Sequence, residues 1–158
     1  MDNEIKDLLL QTYFKENSVV KQQIDSFNRF IETGLQQIVD EVGTIKTNVE
    51  GFEIKLGKIR AEMPRYYELK GSYRYILPSE ARLRNLTYAS PLFLEMTPIH
   101  HGIEKGGPFE VFIGELPIMV KSNLCHLSKM SKNELIEAGE DPLDPGGYFI
   151  INGSERVL

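Results

Sequence analysis

At 158 residues, with 41% apolar and 26% charged residues, the chain has the size and composition of one soluble globular domain. A net charge of −5 argues against a uniformly basic nucleic-acid binder, no run approaches the ~20 apolar residues of a membrane span, and a single cysteine, Cys125, excludes an intrachain disulfide. The start, Met1-Asp2-Asn3-Glu4-Ile5-Lys6, lacks the basic and apolar regions of a secretory signal, so a cytoplasmic setting without a membrane partner is expected.

Residues 1–43 read as helical. Ile5, Leu8, Leu9, Thr12 and Tyr13 form a short amphipathic segment, and Asn17-Ser18 has the chemistry of a cap before the next. Val20, Ile24, Phe27, Ile31, Leu35, Ile38 and Val42 then recur every three or four positions on one stripe. Gly34 lies inside that pattern and is a point where it divides into two helices.

After Gly43 the pattern becomes sheet-rich through residue 158. Thr44–Asn48 and Phe52–Arg60 alternate and carry β-branched residues, which predicts strands punctuated by Pro64 and Gly71. Pro78-Ser79-Glu80 predicts a helix start with Ser79 as cap, and a short helix over Ala81–Leu86. Tyr88–Thr97 and Phe109–Val120 predict strands joined by a Gly106-Gly107-Pro108 turn. Ser131-Lys132-Asn133-Glu134 has the spacing of a capping box opening a helix through Ala138. The turn-rich run Asp141-Pro142-Leu143-Asp144-Pro145-Gly146-Gly147 precedes a strand at Tyr148–Asn152, a turn at Gly153-Ser154 and a returning strand from Arg156. A chain that stops there, mid-strand, predicts a single incomplete domain over 1–158. No internal repeat or low-complexity segment is present.

Familiar catalytic patterns are missing. His100, His101, Cys125 and His126 are the soft ligands, but neighbouring strand residues point to opposite faces and no short-spaced pairs exist, so no metal site is expected. Gly106-Gly107 and Gly146-Gly147 lack the following Lys-Ser or Lys-Thr of a P-loop and the spacing of a dinucleotide fingerprint. Asn152-Gly153-Ser154-Glu155-Arg156 lacks the second glycine of a nucleophile elbow, and no clustered aspartates suggest two-metal chemistry.

Charge is unevenly spread. Residues 55–84 hold Lys55, Lys58, Arg60, Arg65, Lys70, Arg74, Arg82 and Arg84 against Glu62, Glu68 and Glu80, an excess of five positive charges in an acidic chain. That stretch suits either a polyanion-facing surface or a solvated strand face with internal ion pairs. Tyr66, Tyr67, Tyr73 and Tyr75 interleave with it, as strand-face packing or as stacking surfaces for single-stranded bases.

Three segments carry more than composition. Residues 78–93 read Pro-Ser-Glu-Ala-Arg-Leu-Arg-Asn-Leu-Thr-Tyr-Ala-Ser-Pro-Leu-Phe, residues 113–122 Ile-Gly-Glu-Leu-Pro-Ile-Met-Val-Lys-Ser, and residues 144–157 Asp-Pro-Gly-Gly-Tyr-Phe-Ile-Ile-Asn-Gly-Ser-Glu-Arg-Val. Together, and with the helix around Ser26-Phe27-Asn28-Arg29-Phe30-Ile31, they resemble the amino-terminal region of the second-largest subunit of multisubunit DNA-directed RNA polymerase. The flavour is archaeal or eukaryotic rather than bacterial, and the match is to an archaeal second-largest subunit, intact or as its separately encoded amino-terminal half.

The resemblance implies an α+β fold, N-terminal helices followed by a mixed, mostly antiparallel sheet, forming part of the polymerase protrusion on the upstream side of the DNA cleft. It implies a nucleotidyltransferase in which this region carries no catalytic residue. No cofactor is implied in this chain; magnesium and zinc are expected elsewhere in the assembled enzyme. Implied partners are the other RNA polymerase subunits, notably the largest, and the remainder of the second-largest one, together with DNA and an initiation factor. Arg82, Arg84, Lys121 and Arg156 are the candidate DNA contacts. Arg82 and Arg84 serve equally as phosphate contacts or as paired arginines holding the short helix against the sheet. Two other classes remain open: a structural assembly module, and a free-standing DNA-binding regulator derived from this domain.

Overall fold

A computed structural model describes residues 2–16, 18–68 and 71–158. Asn17 of the expected cap and Lys70 of the basic stretch lie outside them.

The chain begins with helix α1 (Asp2–Glu16), followed by α2 (Lys21–Arg29), a π turn (Phe30–Gly34) and α3 (Leu35–Val42). Val20 holds the N-cap position of α2 and makes no side-chain cap bond. Gly34 does not divide the helix. Its φ of −63° is helical, and the backbone runs through a wider π turn from α2 into α3. A Cβ at Gly34 would lie 3.0 Å from Phe30 Cδ2, so the missing side chain lets the Phe30 ring lie back along the turn. The wider turn also changes which residues face inward. Val39 is buried, whereas Ile38 and Val42 of the expected stripe are exposed.

The strands are β1 (Thr44–Lys46), β2 (Phe52–Ala61), β3 (Arg65–Tyr67), β4 (Tyr73–Tyr75), β5 (Ala89–His100), β6 (Ile103–Glu104), β7 (Phe109–Pro117), β8 (Phe149–Ile151) and β9 (Ser154–Arg156). They form a five-stranded sheet in the order β1-β2-β5-β6, with β7 also on β5, and two hairpins, β3–β4 and β8–β9. Every pairing among the described residues is antiparallel.

β2 shifts register between Leu56 and Ile59. A bulge leaves ladder groups unpaired, and here side chains take their place. Gln36 on α3 donates to the Gly57 carbonyl at 3.2 Å and accepts from Ile59 N–H at 3.0 Å, while Glu95 accepts from Lys58 N–H at 3.3 Å. The bulge thereby fixes α3 on the sheet.

The densest core lies beside the large sheet, where β8 meets α4 (Pro78–Leu83) and α5 (Lys132–Glu137). Ile76, Tyr88, Ile118, Val120, Cys125 and Ile150 are essentially fully buried there. Tyr88 accepts from the His126 backbone N–H at 3.0 Å and lies 3.6 Å from Cys125 Sγ. Burial pushes the Tyr88 phenol and the Cys125 thiol up, so both stay neutral.

Local signals differ in outcome. The capping box is present: Glu134 N–H donates to Ser131 Oγ at 3.4 Å and Ser131 N–H to Glu134 Oε2 at 2.7 Å. Ser79 is not a cap. Leu77 holds that position with Pro78 at the first helical turn, and Ser79 Oγ donates instead to the Ala138 carbonyl at 2.8 Å. The helix expected over Ala81–Leu86 lies earlier, over Pro78–Leu83, and Asn85 with φ of 54° stops it. The final turn falls on Asn152-Gly153, with φ of 49° and 76°, so Ser154 opens β9. Two positive φ values are what a right-twisted two-residue hairpin needs.

Candidate nucleic-acid interface

The three sequence segments converge. α4 comes from the first, the run into Val120 from the second and the β8–β9 hairpin from the third. Their backbones join through Ile118 N–H to the Tyr88 carbonyl at 2.9 Å, Tyr88 N–H to Ile150 at 3.0 Å and Val120 N–H to Tyr148 at 2.8 Å. The hairpin turn sits on the end of α4: Gly153 N–H donates to the Leu86 carbonyl at 2.9 Å, and Thr87 Oγ1 accepts from Asn152 N–H at 3.1 Å.

Arg82 is the hub. Its Nε donates to Glu155 Oε1 at 2.8 Å, Nη1 to Glu140 Oε2 at 2.9 Å and Nη2 to the Tyr148 hydroxyl at 2.6 Å. Its side chain is 25% exposed and that of Glu140 4%. Burial works against the guanidinium charge, but the hydrogen bond and charge of Glu140, with Tyr148, outweigh it and hold the pKa above its ordinary value. Tyr148 in turn donates to Asp144 Oδ2 at 2.5 Å, and burial followed by that bond pushes its phenol up. The Lys121 ammonium donates to the Asp144 carbonyl. Arg82 and Lys121 therefore sit in one internal network that clasps α4, the 139–148 loop and the hairpin.

Arg84 lies in a different cluster. Its Nη1 donates to Glu80 Oε1 at 2.6 Å and to the Tyr66 hydroxyl, and its guanidinium lies 4.4 Å from the Tyr66 ring centroid. Arg74 shares the same two partners, with Nε 2.8 Å from the Tyr66 hydroxyl and Nη2 paired with Glu80. The Arg84 side chain is 42% exposed, so part of the guanidinium still faces outward. Arg156 is apart from both clusters. It is exposed on β9, has no ion pair among the described residues, and borders an apolar groove of about 650 Å³ between α2 and the hairpin, lined by Phe27, Phe30, Met119, Phe149 and Ile151. The four candidate contacts thus do not form a single patch.

The rest of the basic stretch is also engaged. Arg60 pairs with Glu62 at 2.7 Å and Glu110 at 2.8 Å, Arg65 with Glu62 at 2.7 Å, and Lys55 with Glu104 at 2.9 Å. Glu104, Glu110, Glu140 and Glu155 come from outside residues 55–84 and answer most of its excess charge. Of the two readings of the stretch, internal pairing describes its arginines; Lys58 remains exposed with no ion pair among the described residues. Sequence reasoning missed the acidic partners. The one signal for them was that Glu155 stands in the third quoted segment.

His100 and His101 do not point apart as strand neighbours would. His101 has φ of 50°, and the rings lie 4.3 Å apart, centroid to centroid. Among the described residues no group of three His, Cys, Asp or Glu side chains is placed to hold a metal ion, and no helix is long and apolar enough to cross a membrane.

Convergent segments clasped around one partly buried ion pair, Arg82 with Glu140, with cations left at the margins, describe a scaffold piece. The chain belongs to the RNA polymerase beta subunit family, whose model matches residues 18–158. It is similar throughout to archaeal members: 52% identical over all of its length to the DNA-directed RNA polymerase subunit Rpo2 of Sulfolobus acidocaldarius. It is 53% identical over 95% of its length to subunit Rpo2N of Methanocaldococcus jannaschii, and 44% identical over all of it to subunit Rpo2N of Halobacterium salinarum. The chain spans 14% of the first of these relatives, 31% of the second and 32% of the third.

Proposed function

We propose that this chain is the amino-terminal part of the second-largest subunit of an archaeal-type, cytoplasmic DNA-directed RNA polymerase, where it builds part of the protrusion and so of the upstream wall of the DNA cleft. The observation that carries the proposal is identity of about half the residues, along the whole chain, to subunits named for that enzyme. Nucleotidyl transfer belongs to the assembled polymerase. Its magnesium and zinc are held by other parts of it, and this region contributes shape, rigidity and a few cations.

Its partners are the largest subunit, the remainder of the second-largest one, DNA and an initiation factor. Among the four candidate contacts, Arg156 is the best suited to a DNA phosphate, because it alone is exposed with no acid or carbonyl partner among the described residues; Lys58 joins it on the same ground. Arg84 keeps a secondary share through its exposed edge. Arg82 and Lys121 hold the scaffold.

The test is the salt dependence of DNA binding by the assembled enzyme. Replacing Arg156 and Lys58 with alanine should lower affinity evenly across sequences and reduce the log–log salt slope by about 0.9 for each phosphate no longer neutralised. An unchanged slope with unchanged affinity refutes their assignment as DNA contacts.

A further inference from the structure

The β3–β4 hairpin has two unlike faces. Its register pairs Arg65 with Tyr75, Tyr66 with Arg74 and Tyr67 with Tyr73. Alternate strand residues share a face, so Tyr66 and Arg74 stand on one side and Arg65, Tyr67, Tyr73 and Tyr75 on the other. Tyr66 packs against the core. The opposite face is open at its tyrosines, with Tyr67 and Tyr73 each 54% exposed and Tyr75 62% exposed, whereas the Arg65 side chain there is 10% exposed and paired with Glu62. Among the described residues none of these three hydroxyls has a hydrogen bond, and Arg65 covers one face of the Tyr73 ring, leaving the other for a ligand.

The rings lie along one face of the hairpin in two contact groups. Tyr67 and Tyr73 lie edge to face at 6.3 Å, the Arg65 guanidinium lies 4.1 Å from the Tyr73 centroid, and Tyr75 meets the His126 ring at 5.3 Å. His126 opens a 3₁₀ turn that ends at Lys129. Side chains three apart eclipse in such a turn, which aligns exposed Lys129 with His126 of the second group. Lys129 has no ion pair among the described residues. Glu62 and Glu68, which flank the hairpin, are both occupied by arginines.

From this arrangement we infer that the outer face of β3–β4 is a stacking platform for single-stranded nucleic acid, with bases on Tyr67, Tyr73 and Tyr75 and backbone phosphate directed toward Lys129. The inference deepens the proposed function and rests on it. Every base offers a π face, so a row of exposed aromatics beside cations suits a single strand with little sequence preference. Tyr73 and Tyr75, two residues apart on one strand, are spaced at about 6.7 Å. That is about twice the 3.4 Å step of a stacked duplex strand, so each ring takes a base already separated from its neighbour. A duplex hides its base faces. A proline-rich peptide would use the tyrosines but has no need of the cations.

The experiment uses polymerase assembled with this chain and iodouracil-substituted oligo(dT) and oligo(U), with duplex DNA and a proline-rich peptide as comparison ligands. Light-induced crosslinks from the oligonucleotides should map to Tyr67, Tyr73 or Tyr75. Tyr73→Ala with Tyr75→Ala should weaken single-strand binding about five-fold or more per ring, while Tyr73→Phe with Tyr75→Phe, which keeps the π faces, should bind as the parent does. Absence of crosslinks at these tyrosines in the parent enzyme overturns the inference, whatever the alanine variants do to the hairpin. So does parent-like single-strand affinity in the alanine variants, or capture of the peptide rather than the oligonucleotides at these rings. If single-strand binding fails these tests while duplex binding and its salt slope persist, only the platform is lost. If the assembled enzyme binds no DNA at all, the proposed function is lost with it.

Discussion

Replacing Arg82 with alanine separates a scaffold role from a DNA-contact role. The substitution removes three hydrogen bonds and leaves Glu140, whose side chain is 4% exposed, as a buried charge without a partner. Glu140 Oε1 already has no partner among the described residues, so the carboxylate would be left without its one strong hydrogen bond. Breaking a buried pair costs about 3–5 kcal/mol. Arg82 is a quarter exposed, and its bond to the more exposed Glu155 contributes little, so the lower end, about 3 kcal/mol, applies. The loss should appear where the clasp closes, in the hairpin and the end of α4. Amide exchange in assembled polymerase reads that local opening directly: Ile150 and Ile151 should exchange on the order of 100-fold faster. Adding Glu140→Gln should recover part of the protection, because the lone buried charge is gone. If exchange at Ile150 and Ile151 is unchanged in the Arg82 variant while DNA affinity and salt slope fall, Arg82 is a phosphate contact and the clasp reasoning is wrong.

Gly153→Ala should destabilise the hairpin by more than about 1 kcal/mol, since φ is 76° and the new Cβ would lie 2.8 Å from Asn85 Cα and 3.0 Å from the Arg82 carbonyl; exchange at Ile151 and the melting temperature report it, and parent-like values would refute it. Ser131→Ala should cost about 1 kcal/mol through loss of the capping box, seen as faster exchange across α5. The Glu134 carboxylate is held below its ordinary value by its hydrogen bonds to Ser131, first from the backbone and then from the side chain. A depressed folded value means the contribution is present above the unfolded value, about 4.3, and is lost as pH falls through the folded one. Acidification should therefore weaken α5 in the parent, and Glu134→Gln should flatten that dependence; an equal pH response in both proteins counts against the box.

Legibility followed the range of the interaction that decided each feature. The capping box at Ser131 and Glu134 spans three residues and was readable. So were β1, β2, β5 and β7 of the large sheet, because alternation and β-branched residues are local; the two-residue β6, which lies between β5 and the Gly106-Gly107-Pro108 turn, was not. Ser79 failed because its hydroxyl found a carbonyl 59 positions away, at Ala138, which no local rule anticipates. Gly34 failed differently. A glycine in a helical pattern signals a break by propensity, but Gln36 ties the following turn to β2, the backbone stays helical, and the π turn shifts the inward face to Val39.

The basic stretch shows the same limit applied to charge. A window of sequence counts the cations it contains, whereas a fold assigns each cation its partner. Lys55, Arg60 and Arg82 find Glu104, Glu110, Glu140 and Glu155 between 49 and 73 positions away, across strands and loops whose pairing the window does not contain. The cations free to meet an outside partner are those that this pairing leaves over, and the density of cations in the sequence does not pick them out. Arg156 stands far outside the basic stretch, and Lys58 is displayed because a bulge, stitched by Gln36 and Glu95, interrupts the ladder around it. The tyrosines follow the same logic in reverse. Interleaving with the cations puts all four on an equal footing, and only the register of β3 with β4 turns Tyr66 to the core and the other three to solvent.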